Sequence, residues 1–542
     1  MNSFNISKNK KKLKQLLNQK IEYQHLLYRR GYIVTTKQDL TLESYPFYGN
    51  WNKYKINNRY CAYIHKDQNI FIKHSQSGDR TILLIGNAYN PFSEEISENE
   101  LLKSALSKLA SSEEEFFNYI SEWTGIFVVG LFYKDRVLFV QDCTAMEACF
   151  YGLCEGQTYF LSHVGILGDI SCPTENKFIS SLIKSYSYNH WGTKYLPGDL
   201  TVFNEMRRLG PNVSVCLRNR KFHIQRFYPL SAHQEVDAGN KKILEEIASI
   251  IRKSVYLCAD KWERPAISLS GGLDSRTTFA AANGRYDSFY YYSFHCKEQE
   301  KQDAYAAHEI CSTIGVPHTI YPITDNNDDI QDFELFKTIV AHNEAYTHIP
   351  PDHEIRKYYF LSSLNDFDVE LKSWASEIGR AYWEKRYGFS LPLKLTPRDF
   401  SIFQTRFLGT PLLMRKSENA YRNYLKKTKL LDPPFNYEHT DMFYWEYRFG
   451  SNGTTVTMEQ QIFNFDVTMP MNNRKLMDMF LWYPHDFRKL DGVNIGAILI
   501  NEPRFANIHH DVHNGYFKGK RVMLEGLYYK YRKMFDFSRR DL

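Results

Sequence analysis

The chain has 542 residues, of which 43% are hydrophobic and 15% aromatic, and this supply of apolar side chains excludes an intrinsically disordered protein. A chain of this length exceeds one ordinary core, so we expect at least two domains. The 68 basic and 62 acidic residues leave a net charge of +6, which is too small to indicate a nucleic-acid-binding protein.

The sequence also lacks the marks of a membrane or secreted protein. No stretch approaches the ~20 apolar residues of a membrane span, and the basic N-terminus lacks the apolar core of a secretory signal. The nine cysteines form no CxxC pair and no zinc-like spacing, so we interpret them as reduced thiols of a cytoplasmic protein. Residues 1–29 are interpreted as a basic, solvated helical tail.

Short β-like runs separated by turns dominate the next 200 residues. Two segments, 98–123 and 175–189, have helical spacing instead. Many strands with few helices predict a layered α+β domain, to which we assign residues 30–235. The predicted strands are 31–36, 59–66, 69–75, 81–90, 125–142, 157–163 and 212–227.

The pattern changes near residue 231, where apolar positions recur at helical spacing and single buried strands begin to alternate with helices. This βαβ order predicts a parallel sheet in a second domain, residues 236–542. After residue 390 the chain is predicted to be mostly helical. The predicted strands are 265–270, 288–294, 318–323 and 369–374.

The loop that follows the strand 265–270 has the composition of a phosphate-binding site. Gly271 and Gly272 allow close backbone approach and leave amides exposed, while Ser270 and Ser275 add hydroxyls. The helix that begins near Ser275 directs its positive end to the same point. Asp274 would repel a bare phosphate, so we expect it to hold Mg²⁺ that bridges to the phosphates.

This loop, "LSGGLDSR", resembles the PP-loop of the asparagine synthetase-type ATP pyrophosphatases, and residues 291–323 resemble the second and third strands of that family's nucleotide-binding domain. The resemblance implies that ATP and Mg²⁺ bind at the carboxyl edge of the sheet. The nucleotide-binding residues that it implies are Ser268, Leu269, Ser270, Gly271, Gly272, Leu273, Asp274, Ser275, Arg276, Ser293, Phe294, Asp303 and Lys372.

Three segments of the first domain, "LLIGNAYNP", "VQDCTAMEACFYG" and residues 196–229, resemble the family's glutaminase domain. The implied architecture is an Ntn-hydrolase-like αββα sandwich followed by an adenine-nucleotide α-hydrolase-like (PP-loop) parallel-sheet domain with a helical C-terminal part. The family glutaminase uses an N-terminal cysteine whose own amine is the base. Here residue 2 is Asn2 and the first cysteine is the internal Cys61, so we predict a degenerate, inactive glutaminase domain.

Two further departures affect the ATP site. The family's acidic run after the fourth strand is replaced by "LKSWASEIGRAYW", in which Ser376 stands for the metal-binding aspartate. We therefore assign Glu377 as the second metal ligand beside Asp274, and Arg380 to a phosphate or an acidic substrate. The family's late catalytic lysine has no clear counterpart; Lys489 is our candidate, with Arg488 and Arg474 as alternatives.

The predicted function is an ATP-dependent amide-forming ligase that adenylates a carboxylate and passes the acyl group to ammonia or a substrate amine, with Asp274, Glu377, Arg380 and Lys489 as catalytic residues. Ring closure within one substrate, as in β-lactam synthetase and lasso-peptide cyclase, is an alternative, as is nucleotide binding without catalysis. A tRNA-modifying enzyme is disfavoured because no zinc-like cysteine cluster or strong basic patch is present. No nucleic-acid partner is expected, and a homodimer stays open.

Two other groups of residues were considered. Glu446 and Arg448 lie in the helical region expected over the site, where they either shape the acceptor pocket or form an ion pair. The histidine-rich run His509–His513 is interpreted as solvated loop residues.

Overall fold

The computed structural model describes residues 6–191, 195–405, 410–432, 434–507 and 520–534. Over these ranges, none of the helices has the length and apolarity that crossing a bilayer requires. All nine cysteines lie in this part of the chain and are free thiols.

Twelve strands form two antiparallel six-stranded sheets in the first part of the chain. The first sheet has the order β10-β8-β9-β1-β3-β2, and the second has the order β12-β11-β7-β6-β5-β4. The strands are β1 Tyr32–Thr35, β2 Trp51–Lys55, β3 Cys61–His65, β4 Ile70–His74, β5 Thr81–Tyr89, β6 Thr124–Phe132, β7 Arg136–Gln141, β8 Phe150–Cys154, β9 Gln157–Leu161, β10 Met206–Arg208, β11 Val213–Arg218 and β12 Lys221–Arg226.

The two sheets pack face to face because successive side chains alternate between the faces of each strand. Tyr32 and Val34 of β1 join the core between the sheets, whereas Ile33 joins the core on the opposite face. Phe139 of the second sheet stacks on Phe160 of the first, with ring centroids 4.0 Å apart. Helix α2 packs on β4 and β5. The helices of this part are α1 Ile6–Gln19, α2 Glu98–Ser111, α3 Glu113–Ile120, α4 Val164–Ile170, α5 Lys177–Ile183 and α6 Tyr186–Trp191.

The N-terminal segment is helical as predicted, but it is packed against the molecule and is not a solvated tail. Leu13 and Leu17 of α1 are fully buried. Lys10 donates to the carbonyl of Asp169 at 2.7 Å, and Lys20 pairs with Asp332 at 2.9 Å. An amphipathic helix buries its apolar stripe wherever a complementary surface is available, and both parts of the chain supply one here.

The second part contains a five-stranded, wholly parallel sheet in the order β15-β14-β13-β16-β17. The first four strands in the chain are those predicted from the sequence, and the fifth was not predicted. The strands are β13 Pro265–Ser268, β14 Tyr290–His295, β15 Thr319–Pro322, β16 Val369–Leu371 and β17 Asp466–Thr468. The helices of this half of the domain are α7 Lys241–Lys261, α8 Leu273–Ala281, α9 Glu298–Ile314, α10 Phe333–Asn343 and α11 Asp352–Leu361.

The strand order creates a crevice beside β13. β14 and β15 lie on one side of β13, whereas β16 and β17 lie on the other. The segments that leave the carboxyl ends of β13 and β16 therefore diverge, and such a switch point is where open α/β sheets bind ligands.

Helices dominate the remainder, as predicted. The α-helices are α12 Tyr382–Tyr387, α13 Pro397–Thr405, α14 Pro411–Lys427, α15 His439–Phe443, α16 Thr454–Gln460, α17 Arg474–Leu481, α18 His485–Lys489, α19 Gly492–Asn501 and α20 Lys520–Met534. A π-helix, Tyr444–Gly453, joins α15 to α16. The fold class predicted from the sequence, antiparallel sheets followed by a parallel sheet and a helical C-terminal part, is confirmed.

The two parts make buried polar contacts with each other. Arg226 of β12 forms a buried ion pair with Glu446 of the π-helix, with Nη2 2.8 Å from Oε2. The indole of Trp445 donates to the carbonyl of Cys143 at 2.8 Å. The predicted boundary at residues 235/236 lies in the segment that connects β12 to α7, and the division into domains stays a prediction.

Candidate functional site

The segment that connects β13 to α8 forms the floor of the candidate site. The amide of Leu269 donates to the carbonyl of Tyr292 at 2.8 Å, which continues the pairing of β13 with β14. The chain then turns at Ser270, and α8 begins at Leu273 with Gly272 as its N-cap. This is the predicted strand–loop–helix order.

Short internal hydrogen bonds shape the loop and leave several amides unused. The Ser275 hydroxyl donates to the carbonyl of Ser270 at 3.0 Å, and the Ser270 hydroxyl accepts the amide of Gly272 at 3.2 Å. Within the described chain, the amides of Gly271, Leu273 and Asp274 donate to no protein acceptor. Because the first amides of a helix lack intrahelical partners, they can bind an anion.

A cavity of about 320 Å³ opens above this loop, which is within the range of small-molecule sites. It is bounded by β14, by the segments that follow β13 and β16 and by helices α9 and α11. Its lining residues are Ser268, Leu269, Ser270, Gly272, Asp274, Ser275, Ser293, Phe294, Glu300, Asp303, Ala304, Lys357, Lys372, Ser373, Trp374 and Glu377. The structure thus brings together most of the residues that the sequence implied.

Asp274 lies in the first turn of α8 and is held from the opposite side of the crevice. Its Oδ1 accepts a hydrogen bond from the hydroxyl of Ser376. Nη1 of Arg380 lies 3.1 Å from Oδ1 and 3.0 Å from Oδ2 of Asp274. The carboxylate therefore has a guanidinium partner supplied by the protein.

Glu377 lines the same cavity from a short 3₁₀ helix, Ser376–Gly379. Burial, together with the carboxylate of Asp274, raises the pKa of Glu377 to about 8. Its Oε2 is buried and accepts no hydrogen bond within the described chain. Carboxylate oxygens are the ligands that Mg²⁺ prefers, so the unused oxygen of Glu377 fits a divalent cation that arrives with a nucleotide.

The opposite end of the cavity lies against β14. The hydroxyl of Ser293 donates to the carbonyl of Leu269 at 2.6 Å and lies 2.9 Å from Nε2 of His318. Phe294 and Asp303 lie beside it in the lining. A Cβ added at Gly271 would lie 3.2 Å from Oδ1 of Asp303, so the close approach of the loop to α9 favours glycine.

Three of the nucleotide-binding residues that the resemblance implies do not line the cavity. Gly271 is buried and its amide donates to no acceptor in the described chain, Leu273 is buried in the core, and Arg276 is buried behind the loop. Nη2 of Arg276 donates to the carbonyl of Gly271 at 2.9 Å, which holds the turn.

Two lysines reach the cavity from different elements. Nζ of Lys372, which follows β16, donates to Oε1 of the fully buried Glu370 at 2.7 Å. Nζ of Lys357, on α11, donates to Oε1 of Glu300 at 2.5 Å. Burial opposes the charged form of Lys357, but Glu354 and Glu300 hold its pKa above the ordinary value.

Sequence reasoning missed Lys357 and Glu300. Neither residue belongs to the loop motif, and α11 approaches the cavity only through the crossover that leads to β16. A signal for Glu300 was available, since it lies one turn before Asp303 at the start of α9. No local pattern marks Lys357.

The predicted late lysine is the main correction. Lys489 is 42% exposed, pairs with Glu384 at 3.4 Å and does not line the cavity. Its neighbour Arg488 points into the protein, where it pairs with Asp441 at 2.8 Å. Because neighbouring residues of a helix point in different directions, α18 turns Lys489 outward.

The other late candidates have structural contacts. Arg474 is buried and donates to the carbonyls of Gln141 and Asp142 at 2.8 and 3.0 Å. Glu446 forms the ion pair with Arg226, and Arg448 lies over the ring of Tyr195. The run His509–His513 lies outside the described residues.

The region that resembles a glutaminase has no nucleophile at the expected place. β1 is preceded by Arg29, Arg30 and Gly31, and a Cβ at Gly31 would lie 2.7 Å from the carbonyl oxygen of Tyr28. The thiol of Cys61, on β3, donates to the carbonyl of Lys37 at 3.3 Å, and burial raises its pKa. A protonated internal thiol without a neighbouring free amine is a poor nucleophile.

The side chain of Asn87, which the glutaminase resemblance places in that domain's "LLIGNAYNP" segment, is occupied by the second part of the chain. Its Nδ2 donates to the carbonyl of Val467 at 3.0 Å and to Oδ2 of Asp466 at 3.3 Å. Arg30 enters the same interface and donates to the carbonyls of Gln461 and Phe463 at 2.9 and 2.6 Å. The space between Asn87, Arg30 and Glu147 is only about 20 Å³.

Comparison with known families finds a match within the second part of the chain. Residues 246–368, which include the loop and most of the cavity, match the family model described as asparagine synthase. Residues 246–368 are thus similar to asparagine synthase, and the resemblance seen in the sequence is confirmed over this segment. No curated protein matches the chain.

Two solved structures resemble the chain at low identity. The first is glutamine phosphoribosylpyrophosphate amidotransferase from B. subtilis complexed with ADP and GMP (8% identity, TM-score 0.22, 55% of this chain and 61% of that chain). The second is described as the allosteric regulatory enzyme of purine biosynthesis (9% identity, TM-score 0.23, 67% and 74%). The chain thus spans about three fifths of the first structure's length, and at these scores the likeness supports no conclusion about activity.

Proposed function

We propose that this protein is an ATP-dependent, AMP-forming ligase that joins a carboxylate to ammonia or to a substrate amine. The observation that carries the proposal is the loop Ser270–Ser275, which has three unused amides and lies at the floor of a nucleotide-sized cavity, within the segment that matches asparagine synthase. The loop has no P-loop lysine, which suits the retention of a departing pyrophosphate better than transfer of the terminal phosphate.

In this proposal the amides of Gly271, Leu273 and Asp274 and the hydroxyls of Ser270 and Ser275 bind the β- and γ-phosphates. The adenine lies toward Ser293 and Phe294. The substrate carboxylate attacks the α-phosphate and pyrophosphate leaves; the amine then attacks the acyl carbon and AMP leaves. Fixed donors placed where charge develops lower the barrier without reorganisation.

Glu377 would hold Mg²⁺ that arrives with ATP, and the bound ion would neutralise charge that accumulates on the pyrophosphate. Lys372 and Lys357 extend the positive potential along the cavity. Each lysine is tethered to a glutamate, so its ammonium is oriented before substrate binds.

The test is carboxylate-dependent exchange of radiolabelled pyrophosphate into ATP, screened over a panel of carboxylates. We expect exchange with at least one carboxylate, and we expect Asp274→Asn to reduce it by about 10²-fold or more, since the variant removes the carboxylate that holds the guanidinium of Arg380 beside the loop. Arg285→Gln is the matched control because it breaks an exposed Arg–Asp pair on the same domain.

Two results would count against the proposal. Undiminished exchange in Asp274→Asn would remove the loop from the chemistry. Tight ATP binding without exchange for any carboxylate would favour nucleotide binding without catalysis.

A further inference from the structure

A chain of alternating charges links the phosphate loop to the start of α19. Arg380 lies between two carboxylates: Nη1 contacts both oxygens of Asp274, and Nε lies 2.7 Å from Oδ1 of Asp491. Nη2 of Arg380 reaches Oδ2 of Asp491 at 3.4 Å. The guanidinium is therefore held in one orientation by two fixed partners.

Asp491 is itself fixed. It is 2% exposed, and its Oδ1 also accepts Nζ of Lys385 at 2.6 Å. Its backbone has a left-handed φ of 60° at the N-cap of α19. Arg380, Lys385 of α12 and the N-cap of α19 thus meet at the carboxylate of Asp491. Asp491 does not line the cavity, so it orients Arg380 from the side away from the cavity.

This arrangement uses most of the acceptor capacity of Asp274. Oδ1 accepts both Ser376 and Arg380, and Oδ2 accepts Arg380. A carboxylate oxygen offers about two lone pairs, so Oδ1 has none left for a metal ion. Mg²⁺ requires a near-octahedral set of oxygens that are free to turn toward it, whereas Nη1 of Arg380 already holds both oxygens of Asp274 and leaves only one lone pair, on Oδ2, unused.

We propose that Arg380, oriented by Asp491, is a resident cation that takes the place of a metal ion at Asp274, so that Glu377 is the principal protein ligand of the Mg²⁺ that accompanies ATP. This revises the sequence-based hypothesis in which Asp274 and Glu377 share the metal ion. The inference rests on the proposed function, because it assumes that the cavity binds a metal–nucleotide complex.

The experiment uses the full chain, Mn²⁺ as a paramagnetic probe and α,β-methylene ATP as a non-reacting nucleotide. Nucleotide binding is measured by calorimetry, and bound Mn²⁺ is then counted by electron paramagnetic resonance in the presence of saturating nucleotide. We expect Glu377→Gln to weaken Mn²⁺ binding by about tenfold or more. Asp274→Asn should leave Mn²⁺ affinity unchanged, because its carboxylate already has a cation.

Arg380→Gln should increase Mn²⁺ affinity, since it frees the carboxylate of Asp274; Asp491→Asn should shift it in the same direction. General damage to the fold would weaken Mn²⁺ binding, so an increase in Mn²⁺ affinity cannot arise from it. Arg285→Gln, which removes one exposed positive charge, should have no effect and so controls for net charge.

The outcomes separate the inference from the proposed function. Absence of nucleotide binding in the wild-type protein would reject the proposed function and the inference with it. Normal nucleotide binding with equal losses of Mn²⁺ affinity in Asp274→Asn and Glu377→Gln would reject the resident cation alone. If Arg380→Gln fails to fold, the comparison of Asp274→Asn with Glu377→Gln still tests whether Arg380 takes the place of a metal ion at Asp274.

Discussion

Asp478, on α17, is a half-buried residue that forms no ion pair within the described chain. The hydroxyl of Tyr228 donates to its Oδ2, and its Oδ1 has no hydrogen-bond partner in the described chain. Burial raises the pKa of Asp478 to about 7, although hydrogen bonds from Tyr228 and Tyr437 oppose the shift. The folded protein therefore retains a proton that the unfolded chain releases.

The sign of the pH dependence follows from that difference. The folded-state pKa lies above the ordinary value of 3.8, so the stabilising contribution is complete below about pH 4 and is lost as the pH rises through 7. In Asp478→Asn, the uncharged amide has nearly the same shape as the protonated carboxyl group of Asp478. We expect equal thermal midpoints of unfolding for variant and wild type at pH 4, and a higher midpoint for the variant at pH 8.5.

The difference at pH 8.5 should correspond to about 4 kcal/mol at most, from a shift of about three pKa units. Differential scanning fluorimetry across the pH range measures it. Asp39→Asn, at an exposed aspartate, should show no pH-dependent difference. A variant that is equally destabilised at every pH would contradict the protonated state of Asp478.

Residues of the loop Ser270–Ser275 are predictable from sequence because their hydrogen-bond partners lie within a few positions along the chain. Ser270, Gly272 and Ser275 hydrogen-bond to one another. The partner of Asp274 is not predictable in this way, because Arg380 lies 106 positions away. The sequence suggested a phosphate or acidic substrate for Arg380, and the fold pairs it with two aspartates.

At the scale of elements, the segment before β1 is the clearest departure from expectation. Its lysines suggested a solvated face, yet α1 buries Leu13 and Leu17, and Arg30 enters the interface between the two parts. Helix α1 carries both lysines and apolar residues, so its charge alone does not reveal which face packs against the rest of the protein.

Arg30→Met tests whether this segment holds the molecule together. The change removes a buried guanidinium from the carbonyls of Gln461 and Phe463 and leaves both oxygens without that donor. We expect a loss of about 2–4 kcal/mol in the free energy of unfolding. The fall in thermal midpoint is measured by calorimetry.

Arg59→Met, at an exposed arginine of the same domain, is the matched control and should change stability by less than about 0.5 kcal/mol. Equal midpoints for Arg30→Met and the wild type would show that the segment contributes little to stability.

Three of the four strands that the sequence did not predict share a physical cause, the exception being the mostly buried β8. β2 has four exposed residues out of five, and β10 and β17 have three residues each. Such segments carry little hydrophobic alternation, and they become strands because a neighbouring edge offers hydrogen-bond partners. Long buried strands such as β5 and β6 were identified from sequence because their apolar runs are continuous.

At the scale of the whole molecule, the source of nitrogen depends on how the two parts meet. No cysteine precedes β1. The thiol of Cys61 donates a hydrogen bond to the carbonyl of Lys37, and the side-chain amide of Asn87 donates one to the carbonyl of Val467 in the second part of the chain. We therefore expect no hydrolysis of glutamine. Amide formation from an accepted carboxylate should require added ammonium or an amine.

Release of glutamate from glutamine, assayed with and without ATP and carboxylate, measures this directly. Cys61→Ser should change neither the absence of glutamate nor the ammonium-dependent reaction. Glutamate release that disappears in Cys61→Ser would contradict the prediction and restore a working glutaminase.

The sequence by itself determined the two kinds of sheet, their order along the chain and the strand–loop–helix order at residues 265–281, because alternation, helical spacing and turn residues act over short stretches. Only the tertiary structure decided which charges meet. It turned Lys489 outward, brought Lys357 and Glu300 to the cavity, and set Arg380 between Asp274 and Asp491. The two partners of Arg380 lie more than 100 positions from it in the chain, and these pairings depend on how helices pack over the sheet.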